Sequence, residues 1–405
     1  MSAQEFDVIV YGATGFTGRL AAEYLLRTYG AEGEVRWAMA GRDREKLKAV
    51  SIKLGAPMNF PLIEAKTSDT GALDALAHRT RAVITTVGPY QLHGEPLLAA
   101  CVRAGTDYVD LCGEPNWMAA MIAKYENQAR QSGARIVFSC GFDSIPFDCG
   151  VWFLQQEAIR RFGKPARDVR GRVRKMQGGF SGGTMASMLA TLDAAKRDPG
   201  IAAQMADPFA LSPHRLSPQP SGEDVTHDGD IPSWSAPFVM AAINTKTVHR
   251  TNALRNYPYG QDFTYSEMML TGDGAAGEKR ARGALNQSKT QQALLGFAPT
   301  RWALRQFALP KPGQGPSKEE RESGMYEVLY VGDAGDGRSL RAAVSGDKDP
   351  GYGSTSKMIS EAALTLIDAP RDATPGGIWT PAAAMGDALI DRLAMRAGLR
   401  FQLEN

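Results

Sequence analysis

Residues that form disulfides or bind transition metals are scarce in this sequence. Its 405 residues include only 4 cysteines and 5 histidines. Cys101, Cys112, Cys140 and Cys149 form no CxxC pair and have no histidines at zinc-ligand spacing, so we expect no metal site. No signal peptide precedes the first predicted strand, and scattered thiols in such a chain indicate the reducing environment of the cytoplasm.

A strong net charge and long apolar runs are absent too. The chain has 46 Lys and Arg against 44 Asp and Glu, a net charge of +2, which gives no reason to expect nucleic acid as a partner. No segment approaches the roughly 18 apolar residues of a membrane-spanning helix. With 43% hydrophobic and 22% charged residues, the composition indicates a globular protein, long enough for two domains.

The most informative segment is FDVIVYGATGFTGR, at residues 6–19. Its apolar start predicts a strand buried on both faces, and apolar residues from Leu20 onward recur at helical spacing. A glycine turn can be an ordinary turn, but between this strand and this helix it predicts a loop that binds the diphosphate of a dinucleotide. The expected cofactor-binding residues of the loop are Gly12, Thr14, Gly15, Phe16, Thr17 and Gly18.

The end of the second predicted strand favours NADPH over NADH. This strand, at residues 35–40, is followed by Gly41, Arg42 and Asp43. An acid at this point binds the ribose hydroxyls of NAD, whereas an arginine accommodates the 2′-phosphate of NADP. We therefore expect Arg42 to bind that phosphate, while Asp43 is better placed to cap the next helix. Arg44 and Lys46 add positive charge, although a solvated helix face explains them as well.

Strands and helices alternate through the first third of the chain. Four further strands are predicted, at residues 60–63, 81–87, 106–110 and 134–139. Six strands in this order predict an α/β fold with a Rossmann-type doubly wound parallel sheet. Ligands of such sheets bind at the carboxyl ends of the strands. Gly88 and Pro89, which follow the fourth strand, are therefore also expected to bind the cofactor.

After residue 145 the pattern predicts a second, mixed-sheet α+β domain. The expected strands are at residues 169–176, 238–251, 261–271, 326–331 and 339–345, and the expected helices at 147–161, 185–196, 275–307, 355–367 and 385–397. Residues 207–237 are rich in proline and serine and indicate a long loop. The predicted division is a dinucleotide-binding domain at 1–145, a substrate domain at 146–350, and C-terminal helices at 351–405 that pack back toward the first domain.

Two features of the second domain have alternative interpretations. Eight cations follow one another with few acids between them, and they form either a solvated surface or a docking surface for an acidic partner. They are Arg160, Arg161, Lys164, Arg167, Arg170, Arg172, Arg174 and Lys175. The second glycine turn, GGFSGGT at residues 178–184, either presents N–H groups to an anion or allows the backbone to pack closely.

Segments along nearly the whole chain resemble the saccharopine dehydrogenase-like oxidoreductases. These segments are GATGFTGRL, AGRDREKL, VGPYQLHGEPLLAACVRAGTDYVDLCGE, FSCGFDSIPFD, GGFSGGT and PGGIWTPAAAMGDALIDRL. Within that family they are most similar to the subgroup of the mycobacterial trans-acting enoyl reductases. The resemblance implies a Rossmann domain, a substrate domain that forms a homodimer contact, and NAD(P)H-dependent reduction, in this subgroup of acyl chains in lipid metabolism.

Candidate catalytic residues come from the loops at the cofactor edge. The nicotinamide transfers the hydride, so the protein has to supply orientation and a proton. No tyrosine has a lysine four residues later, which argues against the short-chain dehydrogenase mechanism. The candidates are Tyr90, His93 and Asp143, with Glu114 as a further carboxylate at the same edge. Each candidate has a structural alternative, namely packing for Tyr90, capping or solvation for His93, and a helix N-cap for Asp143.

Three functions remain open at this point. The first is an NADPH-dependent reductase of a C=C bond in an acyl thioester, with an acidic acyl-carrier domain as the partner that delivers it. The second is a saccharopine-type or imine-type oxidoreductase of a small polar substrate. The third is a cofactor-binding protein that has no catalytic activity of its own. A substrate cleft poor in lysine and arginine would favour the first function over the second.

Overall fold

The computed structural model describes residues 4–179, 181–297, 300 and 313–404. Strands in this part of the chain are β1 Phe6–Tyr11, β2 Trp37–Gly41, β3 Leu62–Glu64, β4 Thr80–Thr85, β5 Asp107–Val109, β6 Arg135–Val137, β7 Asp168–Gln177, β8 Thr226–Asp228, β9 Ser233–Pro237, β10 Thr264–Gly272, β11 Met325–Asp333, β12 Ser339–Gly346, β13 Gly377–Trp379 and β14 Leu399–Glu404. Helices are α1 Phe16–Tyr29, α2 Arg44–Leu54, α3 Thr70–His78, α4 Tyr90–His93, α5 Glu95–Ala104, α6 Pro115–Ser132, α7 Ile145–Phe162, α8 Gly182–Arg197, α9 Pro199–Ala206, α10 Ala241–Leu254, α11 Gly274–Gly296, α12 Lys318–Ser323, α13 Thr355–Asp368 and α14 Pro381–Arg392.

The first sheet is parallel throughout, in the order β13-β6-β5-β4-β1-β2-β3. Every residue of β1 is buried, because this strand lies between β2 and β4 and its apolar side chains contact helices on both faces. All six predicted strands are present, and the Rossmann-type fold class is confirmed. The seventh strand, β13, comes from near the end of the chain. Its three residues lie between prolines, so the sequence pattern did not predict it.

The second sheet is mixed, in the order β14-β12-β11-β7-β10-β9-β8. Strands β7 and β10 are parallel, and the remaining pairs are antiparallel. Helix α7 packs on β11 and β12, which places the interior of this region between α7 and the sheet. The predicted hairpin of β11 and β12 and the mixed α+β class are therefore confirmed.

The C-terminal segment contributes to both sheets. Helix α13 packs on α1, β4 and β5 of the first sheet, as expected for a segment that packs back. Strand β13 extends the same sheet, whereas β14 pairs with β12 of the second sheet. The division of the chain at residues 145 and 350 remains a prediction.

Two predictions in the middle of the chain are wrong. Residues 238–251 were predicted as a strand, but α10 occupies Ala241–Leu254. This helix is buried on most sides and carries polar residues inward, so it shows no apolar stripe of helical period. Residues 207–237 were predicted as a loop, but they include the short strands β8 and β9. The predicted helix 275–307 is present as α11, Gly274–Gly296, and its last predicted residues, 298–299 and 301–307, lie outside the described part.

The basic stretch is not an unpaired positive surface. Arg172 is buried and binds Asp228, while Arg170 binds Asp230 and Asp228. Other ion pairs join Arg160 and Arg161 to Glu157, Lys164 to Asp336, Arg167 to Asp262, and Arg174 to Glu327 and Glu404. The acids come from distant segments, so the local sequence could not show them. The ion pairs and the burial of Arg172 disfavour a docking surface for an acidic partner. Because Arg160, Arg161 and Arg167 are exposed, the choice between a solvated surface and a docking surface remains a prediction.

Candidate active site

The glycine loop after β1 brings strand and helix closer together than side chains would allow. Gly12 has a φ of +90°, and a Cβ on it would lie 2.7 Å from Val87 Cγ2. A Cβ on Gly18 would lie 2.2 Å from the carbonyl oxygen of Gly12. Gly15 differs, because its Cβ would meet only the Gly12 oxygen, at 3.2 Å. The outer side of Gly15 is therefore open to a ligand.

The N-terminus of α1 suits a diphosphate. Its N-cap is Gly15, which has no side chain to cap the helix, and its first turn contains no acid. The first N–H groups of a helix have no partner within it and carry partial positive charge. Thr14 and Thr17 beside them are half-buried. These residues fit the phosphates of a dinucleotide, in agreement with the prediction.

Only the backbone of Phe16 is available to the cofactor, because its side chain packs elsewhere. Its ring packs edge-on against Tyr352, with 5.1 Å between the ring centroids. The guanidinium carbons of Arg19 and Arg321 lie 5.8 and 5.5 Å from the same ring. The side chain therefore joins α1 to the turn that holds Tyr352, and only the Phe16 N–H remains as a contact for the cofactor.

At the end of β2 one cation is available to a ligand. Asp43 caps α2 by accepting a hydrogen bond from the N–H of Lys46, as predicted. Arg44 donates to the carbonyl of Leu62 at 3.1 Å. Arg42 is exposed and makes no hydrogen bond or ion pair with the other described residues. Its guanidinium can therefore turn toward a 2′-phosphate without breaking an existing contact.

Tyr90 connects the ends of two strands. Its hydroxyl donates to the carbonyl of Thr85 at 3.2 Å and accepts from the N–H of Leu111 at 3.0 Å. The side chain is buried, its ring contacts Trp117, and burial raises its pKa well above the ordinary value. Glu114 accepts from the N–H groups of Tyr90 and Gln91, so its carboxylate caps α4. These contacts give both residues structural roles and do not support a proton donor at Tyr90.

The other candidates before residue 100 lie at the rim of this edge. His93 is exposed at the end of α4, as the alternative of a solvated histidine requires.

Gly88 and Pro89 follow β4, and a Cβ on Gly88 would lie 3.2 Å from Ser187 Oγ. Helix α8, which carries Ser187, also accepts a hydrogen bond from Gln91 through Thr191 Oγ1. Helix α8 therefore covers the loop where we expect the nicotinamide ribose.

Asp143 follows β6 and lies against the end of β5. A Cβ on Gly113 would be 3.6 Å from Asp143 Oδ2. The side chain is half-buried, and desolvation raises the pKa of its carboxyl to about 7. The N-cap of α7 is Ser144, and no side chain caps this helix, so the alternative of Asp143 as an N-cap is wrong. The raised pKa makes Asp143 a candidate proton donor near neutral pH.

A second carboxyl with a raised pKa lies on the second sheet. Glu267 on β10 is buried, and it accepts hydrogen bonds from Asn244 Nδ2 and from the Tyr265 hydroxyl, both at 2.9 Å. Burial raises its pKa to about 8 against the effect of these two hydrogen bonds, and the charge of Asp143 raises it further. The charge of Asp143 also adds to the raised pKa of Tyr352, which burial mainly causes. The charge of Asp143 therefore acts both on Glu267 and on the Tyr352 that packs on the glycine loop.

The second glycine turn is a packing turn. The N–H of Ser181 donates to the Tyr352 hydroxyl, and the N–H of Gly182 donates to the carbonyl of Gln314. Ser181 Oγ accepts from the N–H of Thr184 and caps α8. A Cβ on Gly178 would lie 2.8 Å from Pro350. Three of the N–H groups that could bind an anion, those of Ser181, Gly182 and Thr184, already have partners, which favours the close-packing interpretation.

The remaining polar groups at this edge stabilise the loops. Asp110 accepts hydrogen bonds from the N–H groups of Cys112 and Ser139 and from the Tyr108 hydroxyl, and burial raises its pKa to about 7.

The four cysteines are buried and free. Among the described residues, no group of three or more His, Cys, Asp and Glu could hold a metal ion. None of the described helices is long and apolar enough to cross a membrane.

The comparisons with known proteins identify the family of the chain. Residues 8–137, which contain the glycine loop and end with the last residue of β6, match the saccharopine dehydrogenase NADP-binding domain. A Mycobacterium tuberculosis protein provisionally named a trans-acting enoyl reductase is 41% identical over 425 residues, which cover 98% of this chain and 97% of that protein. The chain belongs to the saccharopine dehydrogenase-like oxidoreductases. Within them it belongs with the mycobacterial trans-acting enoyl reductases.

Other members and one solved structure extend this relationship. A trans-acting enoyl reductase of Mycobacterium bovis is 37% identical over 410 residues, 96% of each chain. The structure of the L-Glu-forming saccharopine dehydrogenase of Saccharomyces cerevisiae has a TM-score of 0.57 at 13% identity and covers 99% of this chain and 100% of its own. That likeness confirms the fold. The family assignment makes the chain an NAD(P)H-dependent oxidoreductase with an NADP-binding domain.

Three residues of this site were missed by sequence reasoning. They are Glu267, Asn244 and Tyr352, and all three come from the second half of the chain. The alternation of β10 could have indicated Glu267, because this residue lies two positions after Tyr265 and therefore on the same face of the strand. Asn244 was hidden by the wrong strand prediction for α10. Nothing in the local sequence indicates that Tyr352 contacts Phe16.

Proposed function

We propose that the protein is an NADPH-dependent enoyl reductase that saturates a C=C bond of an acyl thioester, with Asp143 as the proton donor. NADPH, when bound, supplies the hydride. The chain holds its phosphates with the loop Gly12–Gly18 and its 2′-phosphate with Arg42. Asp143 gives a proton to the α carbon of the substrate and recovers it from water afterwards. The half-buried site limits the access of water to that carboxyl.

One observation supports this proposal above the others: in the described part of the chain, no Lys or Arg forms an ion pair with Asp143, the carboxyl at the cofactor edge. Desolvation raises the pKa of Asp143, and the charge of Asp143 contributes to the raised pKa of Glu267. Arg172, which acts weakly on Glu267, is already bound to Asp228 at 2.7 and 2.9 Å. A diacid amino acid would need unpaired cations here, whereas a neutral enoyl thioester needs none. The saccharopine-type alternative is therefore disfavoured.

The names of the relatives support a proposal for the partner. Because the mycobacterial proteins are named trans-acting, we propose that the acyl chain arrives on a separate, acidic carrier domain. The paired cations of β7 are not proposed as its docking surface. We also propose a homodimer that works in the cytoplasm, where four free thiols are expected.

The test is NADPH oxidation with a trans-2-enoyl thioester of pantetheine. We expect deuterium from C4-deuterated NADPH in the saturated product, detected by mass spectrometry. Asp143→Asn should lower kcat by about 10²–10⁴, the usual contribution of a general acid, without changing the Kd of NADPH. In the wild type, kcat should fall as the pH rises through about 7, because Asp143 then loses its proton.

The matched control is Asp391→Asn, the same chemical change at an exposed carboxyl of α14. It should behave as the wild type. Failure of the protein to oxidise NADPH with any enoyl thioester would contradict the function and favour a cofactor-binding protein without catalysis. Reduction by Asp143→Asn at the wild-type rate would contradict the role of this residue alone.

A further inference from the structure

We propose that Tyr352 is a positioning residue that couples the glycine loop to helix α8: its ring packs on the loop, and its hydroxyl holds the start of α8 over the segment that follows β4. The expected effect on turnover rests on the proposed function, because it concerns the binding of an enoyl thioester. The coupling itself follows from contacts within the fold and does not depend on that reaction.

Tyr352 lies in a turn that the structure fixes on both sides. Residues Pro350–Ser354 form a single π-helical turn that leads directly into α13. Asp349 holds this turn by accepting hydrogen bonds from the N–H groups of Tyr352 and Gly353, at 3.0 and 2.7 Å. Single π-helical turns are frequent at functional sites. Tyr352 itself is buried, so its position is set by its neighbours and not by solvent.

The ring of Tyr352 fixes the start of α1. It meets the ring of Phe16 edge-on, and the two rings form a small apolar cluster with Leu20. A Cβ on Gly315 would lie 2.5 Å from Phe16 Cε1, so the segment before α12 also packs on this ring. Phe16 is the first residue of α1 and contributes the backbone N–H that is available to the cofactor. The tyrosine ring therefore restrains the part of the loop where we expect the diphosphate.

The hydroxyl of Tyr352 fixes the start of α8. It accepts a hydrogen bond from the N–H of Ser181, the N-cap of α8, and lies 2.8 Å from Oγ1 of Thr184 in the first turn. Ser181 is buried, so water does not readily replace a lost partner of its N–H. One hydroxyl thus orients both the cap and the first turn of this helix.

The same face of α8 reaches the segment after β4. Thr191 Oγ1 accepts a hydrogen bond from Gln91 Nε2 at 3.2 Å, and Ser187 Oγ lies 3.2 Å from the place that a Cβ on Gly88 would occupy. Positions 184, 187 and 191 are three and four residues apart, so their side chains share one face of the helix. That face is anchored at its start by the tyrosine hydroxyl and covers the expected nicotinamide site further along.

The turn that carries Tyr352 also contacts the loop after β6. Thr355 Oγ1 accepts a hydrogen bond from the N–H of Phe142 at 2.9 Å and donates to the carbonyl of Pro350 at 2.8 Å. Phe142 directly precedes Asp143, the proposed proton donor. The glycine loop, α8 and the loop after β6 therefore meet on residues 350–355. Cofactor binding that orders the glycine loop would also restrain α8 through these contacts.

Tyr352→Phe tests this inference, because it keeps the ring against Phe16 and removes only the hydroxyl. The Kd of NADPH should stay within about twofold of wild type, since the loop keeps its packing. The KM for the enoyl thioester should rise by about 2- to 12-fold, the effect of one lost hydrogen bond, while kcat stays near wild type. Thr184→Val removes the other side-chain partner of the hydroxyl and should raise KM in the same direction.

Tyr29→Phe is the matched control, at the opposite end of α1. Its hydroxyl donates to the buried Glu361 at 2.8 and 2.9 Å, so the variant should have a lower Tm but unchanged Kd and KM. An unchanged KM in Tyr352→Phe, or a parallel rise in the Kd of NADPH, would overturn the assignment of Tyr352 as a positioning residue for α8.

A second measurement needs no substrate. Hydrogen exchange is followed by mass spectrometry in peptides that cover residues 12–25 and 182–197, with and without saturating NADPH. In the wild type, NADPH should slow exchange in both segments, whereas in Tyr352→Phe it should slow exchange in the first segment alone. No slowing of residues 182–197 in the wild type, or equal slowing in both proteins, would overturn the coupling. Slowing that is lost in the variant of a protein that reduces no enoyl thioester would support the coupling while contradicting the proposed function.

Discussion

The substitution Tyr90→Phe tests whether the Tyr90 hydroxyl stabilises the fold or donates a proton in catalysis. The substitution keeps the ring against Trp117 and removes the hydroxyl that links the Thr85 carbonyl to the Leu111 N–H. A buried polar group left without a partner costs about 1–3 kcal/mol. Leu111 is half-buried, so water can reach its N–H, and the Thr85 carbonyl carries most of the loss. We expect the free energy of unfolding to fall by about 1–2 kcal/mol.

The assay combines urea unfolding with steady-state kinetics on the same preparation. The free energy should fall while kcat and the Kd of NADPH stay within about threefold of wild type. Tyr125→Phe is the matched control. The Tyr125 hydroxyl donates to Glu95 at a partly exposed position, so removing it should lower the free energy of unfolding by less. The opposite pattern, with stability unchanged and kcat lower by about 10²–10⁴, would refute the structural role and restore Tyr90 as the proton donor.

Two further predictions concern the cofactor. Arg42→Ala should raise the Kd of NADPH by about 10- to 150-fold, the effect of losing about 1.5–3 kcal/mol of charge-assisted hydrogen bonding, and leave the Kd of NADH nearly unchanged in a fluorescence titration. Arg44→Ala is its control, since that guanidinium is bound to Leu62, and equal losses for both cofactors would count against Arg42 as the phosphate ligand. Gly15→Val should abolish NADPH binding while circular dichroism and Tm stay near wild type, because a Cβ there approaches only the Gly12 oxygen, at 3.2 Å. Wild-type affinity in this variant would remove the glycine loop from the site.

The cofactor half of the site was predictable because its signals are local. The loop from Gly12 to Gly18 lies within one strand–turn–helix unit, and Asp43 and Arg42 are adjacent in sequence. The acid–base half was only partly predictable. Asp143 could be placed at the correct edge, but Glu267, on which its charge acts, lies more than a hundred residues away, on a sheet whose register no local pattern fixes.

The errors have the same physical origin. Helix α10 was mistaken for a strand because burial on nearly all sides removes the periodic contrast on which the prediction depends. The ion pairs of the basic stretch could not be foreseen, because Asp228, Glu404 and the other acids that pair with it are contributed by distant segments. Local pattern identifies elements and loops, whereas charge balance and the burial of polar groups are decided by tertiary contacts.

The late strands of the chain have a consequence for how the protein is made. The edge of the first sheet at β6 is covered only when β13 emerges, and β12 has no outer neighbour until β14, Leu399–Glu404, is complete. Helix α13, almost entirely buried, also reaches the first sheet late. A nascent chain therefore presents an open strand edge and an apolar face through most of translation. Fragments that end before residue 379 should aggregate, and a transplanted cofactor domain would have to include α13 and β13.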